Sequence, residues 1–238
     1  MPSARKRPVG VSVVPPKTVA FKVKGVVFKL LSLPAGTFYM GSPTREPKRS
    51  SRELRHKVTL TRPFLIGQTP VTQDLFKAVM GRNPSLFKGA KMPVEQVSWS
   101  AALEFCLALS EIAGHDFRLP TEAEWEYACR AGTKTAFHFG SSVDSTLANF
   151  DGGSPYGRAK KGRSIEKTTL VGSYPANPWG CYDMHGNVWE WCNDFVGNYS
   201  REPTHDPCGP SGGDERIVRG GSWGCDGELC RSASRNSL

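Results

Sequence analysis

Long apolar runs are missing from this chain of 238 residues, and none approaches the roughly 20 residues that a membrane-spanning helix requires. Residues 1–17 carry positive charge, but their apolar stretch is short and broken by proline, a poor secretory signal. Cys-x-x-Cys pairs are absent, no Cys/His set has zinc-finger spacing, and no EF-hand loop is present. Seven cysteines are an odd number for a chain without an export signal, so reduced thiols in the cytoplasm are expected rather than a disulfide framework. Acidic residues are scarce at one end. Residues 1–62 hold 14 Lys/Arg against only Glu46 and Glu53, whereas the other 17 basic and 20 acidic residues nearly cancel. The net charge of +9 therefore belongs to that end. No zinc-finger, RNA-recognition or helix-turn-helix pattern accompanies it, which argues against a nucleic-acid partner. A basic end could instead hold an acidic protein nearby.

The chain is rich in turn formers, with 25 Gly and 18 Pro, and in large apolar groups, with 24 aromatic residues counted over Phe, Tyr and Trp. This combination excludes a disordered chain, a collagen and a coiled coil, and favours one compact domain with many loops. Residues 1–20 contain Pro8, Pro15 and Pro16 and are expected to form a disordered basic arm, with the domain running from 21 to 238. Residues 22–31 alternate well enough for one strand, 37–40 for a second and 56–61 for a third.

Three helices are marked by their caps. Thr72 starts the first and Gly81 stops it; Ser98 and Gly114 bound the second. Ala102, Phe105, Leu109 and Ile112 form the second helix's inward stripe. Thr121 and Glu124 make a capping box for the third, which Gly132 ends, and Trp125 and Cys129 share its inner face. No helical period survives beyond Gly132. Irregular chain of that length, carrying four of the six tryptophans, needs internal partners for its backbone polar groups. Candidates cluster at Asn149-Phe150-Asp151 and at 183–190, where Asp183 and Glu190 flank several carbonyls. Hard oxygen donors of this kind suit Ca²⁺, with a plain turn network as the alternative.

Six segments occur in one order: PAGTFYMGS (34–42), PVTQDLFKAVMGRNPS (70–85), PVEQVSWSAALEFC (93–106), FRLPTEAEWEYACRAGT (117–133), GCYDMHGNVWEWCND (180–194) and RIVRGGSWGC (216–225). Together they resemble the formylglycine-generating enzyme, or sulfatase-modifying factor, family. The resemblance implies an α+β fold: a single compact domain with little regular secondary structure, a variant of the C-type lectin fold. It also implies that family members continue to a final strand that this chain lacks, leaving a sheet edge unpaired.

The family's enzymes oxidise a peptidyl cysteine of a sulfatase-type substrate to formylglycine, using O₂ and a copper ion held by two thiolates. Other relatives bind protein or small ligands on a display surface around the RGGSW segment. By resemblance, Cys225 and Cys230, with four residues between them behind that motif, would hold Cu⁺, and Ser222 would line the catalytic site. A soft monovalent ion suits paired thiolates. Asp226 stands beside the first thiol, where its charge opposes thiolate formation. The resemblance also implies structural Ca²⁺ ligands: Asp183 and Glu190 by side chain, Gly186 and Val188 by carbonyl, and a second site beginning at Asn149 and Phe150. The expected partner is a cysteine-containing peptide or protein, or else a protein ligand bound without chemistry. The chain itself is expected to be monomeric.

Overall fold

The computed structural model describes residues 16–238, so most of the expected arm lies outside the described residues. Strand β1 (Lys17–Val23) nevertheless starts inside it and pairs with β2 (Val26–Leu33), which moves the start of the domain to Lys17. The expected single strand over 22–31 is instead a hairpin. Lys24 (φ 45°) and Gly25 (φ 86°) both adopt left-handed backbone, the geometry of a two-residue turn whose twist matches the strands it joins. The alternation carried straight through the turn because a lysine at its first position gives no turn signal.

Three small sheets result. The first has the order β1-β2-β5, with β5 at Phe64–Gly67. The second joins β3 (Gly36–Met40), β4 (His56–Leu60) and the two-residue β7 (Thr204–His205), the last running parallel to β4. The third joins β6 (Glu190–Phe195), β8 (Arg216–Arg219) and β9 (Asn236–Ser237). The edge of β8 expected to be bare is therefore covered at Ile217 and Val218 by β9.

Helices α1 (Gln73–Met80), α2 (Trp99–Ala113) and α3 (Glu122–Arg130) fall between the expected caps. The box at the head of α3 is complete, with Thr121 and Glu124 each satisfying the other's backbone N–H. Its C-terminal cap is Ala131 at φ 44°, one residue before Gly132. Ile112 departs from the expected stripe: it is 41% exposed, while Phe105, Cys106 and Leu109 are buried.

Helix α3 is the axis of the molecule. Trp125 and Cys129 are fully buried among Leu31, Leu33, Met184 and Ile217, so Cys129 is a core residue. The same helix carries a buried ion network. Glu126 pairs with Arg130 and with Arg219 of β8, and Glu122 pairs with Arg235 and more distantly with Arg219. A second buried set joins Arg231 to Glu46 and Glu53. These carboxylates also accept hydrogen bonds from otherwise orphaned backbone, as Glu126 does from the Gly41 N–H at 2.9 Å. They provide the internal satisfaction that so much irregular chain requires. All seven thiols are free, and no helix among the described residues is long and apolar enough to cross a membrane.

Candidate functional site

Strand β8 ends at Arg219, and Gly220 (φ 93°) and Gly221 (φ 75°) then turn the chain sharply. Side chains are excluded there for steric reasons as well: a Cβ on Gly221 would lie 2.6 Å from the Cys230 sulfur. The turn presents Ser222 and Trp223 at the surface and knits the segment to the 183–190 motif. Gly186 N–H donates to the Gly220 carbonyl at 2.8 Å, and Trp223 N–H donates to the Asn187 carbonyl at 3.1 Å.

Beyond Trp223 the structure brings the sequence candidates together unevenly. Ser222 Oγ and Cys225 Sγ are 3.2 Å apart, and Cys225 is half-buried. Cys230 ends a short 3₁₀ turn (Gly227–Cys230) and has no exposed surface. Both sulfurs belong to one apolar cluster with Phe137, Val143 and Tyr156. Burial pushes the Cys230 thiol well above its ordinary pKa, and the nearby Cys225 and Asp226 push it further. No cation acts to oppose these effects.

A cleft of about 1240 Å³ opens on the other side of the RGGSW segment, between the β1-β2-β5 sheet and the 187–191 stretch. Phe28, Ile66, Val97 and Trp191 give it apolar walls, and Gln68 and Asn187 supply polar groups. Trp191 is fixed by donation from its indole N–H to the Val97 carbonyl at 2.9 Å, and Trp223 meets Phe87 edge-on at 5.6 Å. Ser222 and Trp223 line this cleft; neither Cys225 nor Cys230 does. Sequence reading missed the cleft because at least five separate segments build it.

The residues anticipated as calcium ligands are adjacent. Asp183 and Glu190 are close enough that the charge of Asp183 raises the proton affinity of Glu190. Burial is the larger effect on both, lifting Glu190 to about 8 and Asp183 to about 6. Asp183 accepts a hydrogen bond from Gly172 N–H at 2.6 Å and Glu190 accepts one from the Trp125 indole at 3.2 Å, but Glu190 Oε1 has no partner. Asn149 lies across from Gly186 in an isolated bridge, with its carbonyl accepting from Asn187 N–H at 2.7 Å and its Oδ1 buried without a partner. Phe150 is buried beside it. No three His, Cys, Asp or Glu side chains converge as a metal cage among the described residues. A buried carboxylate with an unpartnered oxygen, beside a second buried carboxylate and several carbonyls, is nevertheless a donor set that a hard cation fits.

His185, between these carboxylates in sequence, points the other way. Its Nδ1–H donates to the Cys230 carbonyl at 2.7 Å, and its Nε2 accepts from His138 N–H at 3.2 Å, which together fix a neutral tautomer. Burial, then the neighbouring His138, drops its pKa to about 3. A histidine depressed in the folded state stabilises above its unfolded pKa of about 6.5, and that stability is lost as pH falls toward 3. Acidification over this window should therefore lower the melting temperature, and His185→Asn should flatten the dependence. An unchanged slope in the variant would place the acid sensitivity elsewhere.

The fold and these motifs agree with comparison to known proteins. A family model described as the sulfatase-modifying factor enzyme 1-like domain matches residues 17–238. The chain belongs to that family, the one that contains the formylglycine-generating enzymes. It is 40% identical over 139 residues to the serine/threonine-protein kinase pkn1 of Chlamydia caviae, covering 56% of this chain and 19% of the kinase. It is 31% identical over 195 residues to the formylglycine-generating enzyme of Mus musculus, covering 76% of this chain and 48% of that enzyme. The chain thus spans less than half the length of these curated relatives. Among solved structures, Treponema denticola variable protein 1 superposes with a TM-score of 0.79 at 29% identity, covering 94% of each chain.

Proposed function

We propose that this chain is a ligand-binding module of the family, taking a peptide or protein segment into the cleft beside RGGSW without oxidising it. One observation carries the reading: the cleft reaches Ser222 and Trp223 but neither thiol, and Cys230 is sealed from solvent. Phe28, Trp191 and Trp223 line the cleft and offer aromatic area of the kind that anchors peptide side chains. The similarity to a variable protein of Treponema denticola and to part of a kinase supports a role in recognition.

The 3.2 Å contact between Ser222 and Cys225, with Cys230 in the same cluster, supports a second reading as a copper-dependent oxidase. If a copper ion were bound, Cys225 and Cys230 would hold it, and the ion would supply O₂ activation. One experiment separates the two. Reduced protein is titrated with Cu(I) and then incubated with O₂, a reductant and a Cys-x-Pro-x-Arg peptide. The binding-module reading expects no peptidyl aldehyde by mass spectrometry. It also expects that peptides selected from a random library lose affinity for Trp223→Ala but not for Cys225→Ser. Aldehyde formation that disappears in both Cys225→Ser and Cys230→Ser would overturn it in favour of the oxidase.

A further inference from the structure

Five basic residues stand within ten positions at Arg158, Lys160, Lys161, Arg163 and Lys167, interrupted by the single acid Glu166. They are five of only 17 basic residues beyond position 62, in a region whose overall charge is slightly negative. The structure leaves all five side chains exposed or at the surface, and no ion pair among the described residues involves any of them. Unpaired cations at this density raise the local potential and attract anions.

The loop that carries them is pinned rather than loose. Arg158 N–H donates to Ser142 Oγ at 3.0 Å, Gly162 N–H to the Gly152 carbonyl at 2.8 Å, and Ser164 Oγ to Asp151 at 2.6 Å. Asn149 Nδ2 holds the Lys167 carbonyl at 2.9 Å. Glycine is required for this course, since a Cβ on Gly152 would lie 2.5 Å from the Arg163 carbonyl oxygen. The base of the loop is tied to the segment after RGGSW: Asp151 N–H donates to the Cys225 carbonyl, and Gly227 N–H to the Ser154 carbonyl, both at 2.9 Å. The backbone that carries the cations is therefore fixed to the Cys225–Gly227 segment, and none of the five lines the aromatic cleft. Preorganisation of this kind reduces the ordering cost of binding.

We infer that residues 158–167 are a docking surface for an acidic polypeptide segment, separate from the cleft and independent of the reading given for it. Two features favour a polypeptide over nucleic acid. Residues 157–167 contain no aromatic side chain, and the adjoining Tyr156 ring is buried, so no platform exists for stacking bases. The cations also span only ten positions, a footprint that a short acidic segment can cover whole.

The test uses the full chain and fluorescein-labelled poly-L-glutamate at low ionic strength, with single-stranded DNA of equal length as the competing class. The triple variant Lys160→Gln, Lys161→Gln, Arg163→Gln should bind poly-L-glutamate about tenfold or more weakly, as several surface charge contacts together imply. A control with the same charge change on the hairpin, Lys17→Gln, Lys22→Gln, Lys24→Gln, should stay within about twofold of wild type, since its charges lie outside both the loop and the cleft. All six positions compared are exposed, so both variants should keep the wild-type melting temperature. Equal weakening in both variants would mean that net charge alone attracts the probe and would overturn the site. No weakening in the loop variant would do the same, and tighter binding of the DNA than of poly-L-glutamate would overturn the partner class.

Discussion

Replacing Arg219 by alanine should cost about 3–5 kcal/mol of stability, the usual penalty for leaving buried charge without its partner. In a domain of this size that is a fall of roughly 10 °C or more in melting temperature. Arg219 has no exposed surface. Its guanidinium pairs with Glu126 and donates to the carbonyls of Ser232 and Ser234, at 2.9 Å in the first case. Burial opposes its charge, but Glu126, Tyr199 and Glu122 outweigh that and hold its pKa above the ordinary arginine range. Should Arg219→Ala fail to fold, Glu126→Gln offers a milder measure, because Arg130 still reaches that side chain. A double-mutant cycle between positions 126 and 219 would then give their coupling. A total loss below about 1 kcal/mol would show that the network is replaceable, as an exposed pair is.

Calcium should raise the melting temperature, and a chelator should reverse the gain. We propose that Asp183 and Glu190, with the carbonyls of Gly186 and Val188, hold the ion. A site filled at a hundred times its dissociation constant stabilises by about 2.7 kcal/mol. The sign with pH can be worked out from the two carboxylates. Their folded pKa values of about 6 and about 8 lie above the ordinary 3.8 and 4.5 of such groups. Without the ion their contribution is fully present at low pH and is lost as pH rises through 6 to 8, because the folded state gives up its extra protons. Bound calcium removes that loss, so the stabilisation it confers should grow over the same interval. Asp183→Asn with Glu190→Gln should abolish both the calcium response and the decline with pH. A wild-type melt that ignores calcium and chelator alike at pH 8 would refute the site.

What could be read from the sequence was local. The ends of α1, α2 and α3 were legible at Thr72, Gly81, Ser98, Gly114 and Thr121, since a cap satisfies backbone groups within three or four residues. That Asp183 and Glu190 lie near each other was legible too, since one short segment runs from one to the other. The sheets were not, because β4 takes its parallel neighbour from Thr204 and β8 takes a partner from Asn236. The hairpin at Lys24 was misread because alternation is continuous across it. The resemblance of the RGGSW segment drew notice to Cys225 and Cys230, yet burial decides what a thiol can do, and burial is a property of the packed molecule. The cations at 158–167 were hidden by averaging charge over too long a stretch.

The second buried ion cluster has a consequence for how the molecule is made. Arg231 bonds Glu53 and Glu46 across 178 and 185 positions of sequence. During synthesis these two acids emerge from the ribosome long before their cation, and until it arrives their burial would strand negative charge without compensation. The loop at 43–53 can therefore settle only after residue 231 has left the exit tunnel. A nascent chain halted shortly before that point should keep this loop open to protease, and one extended past it should close.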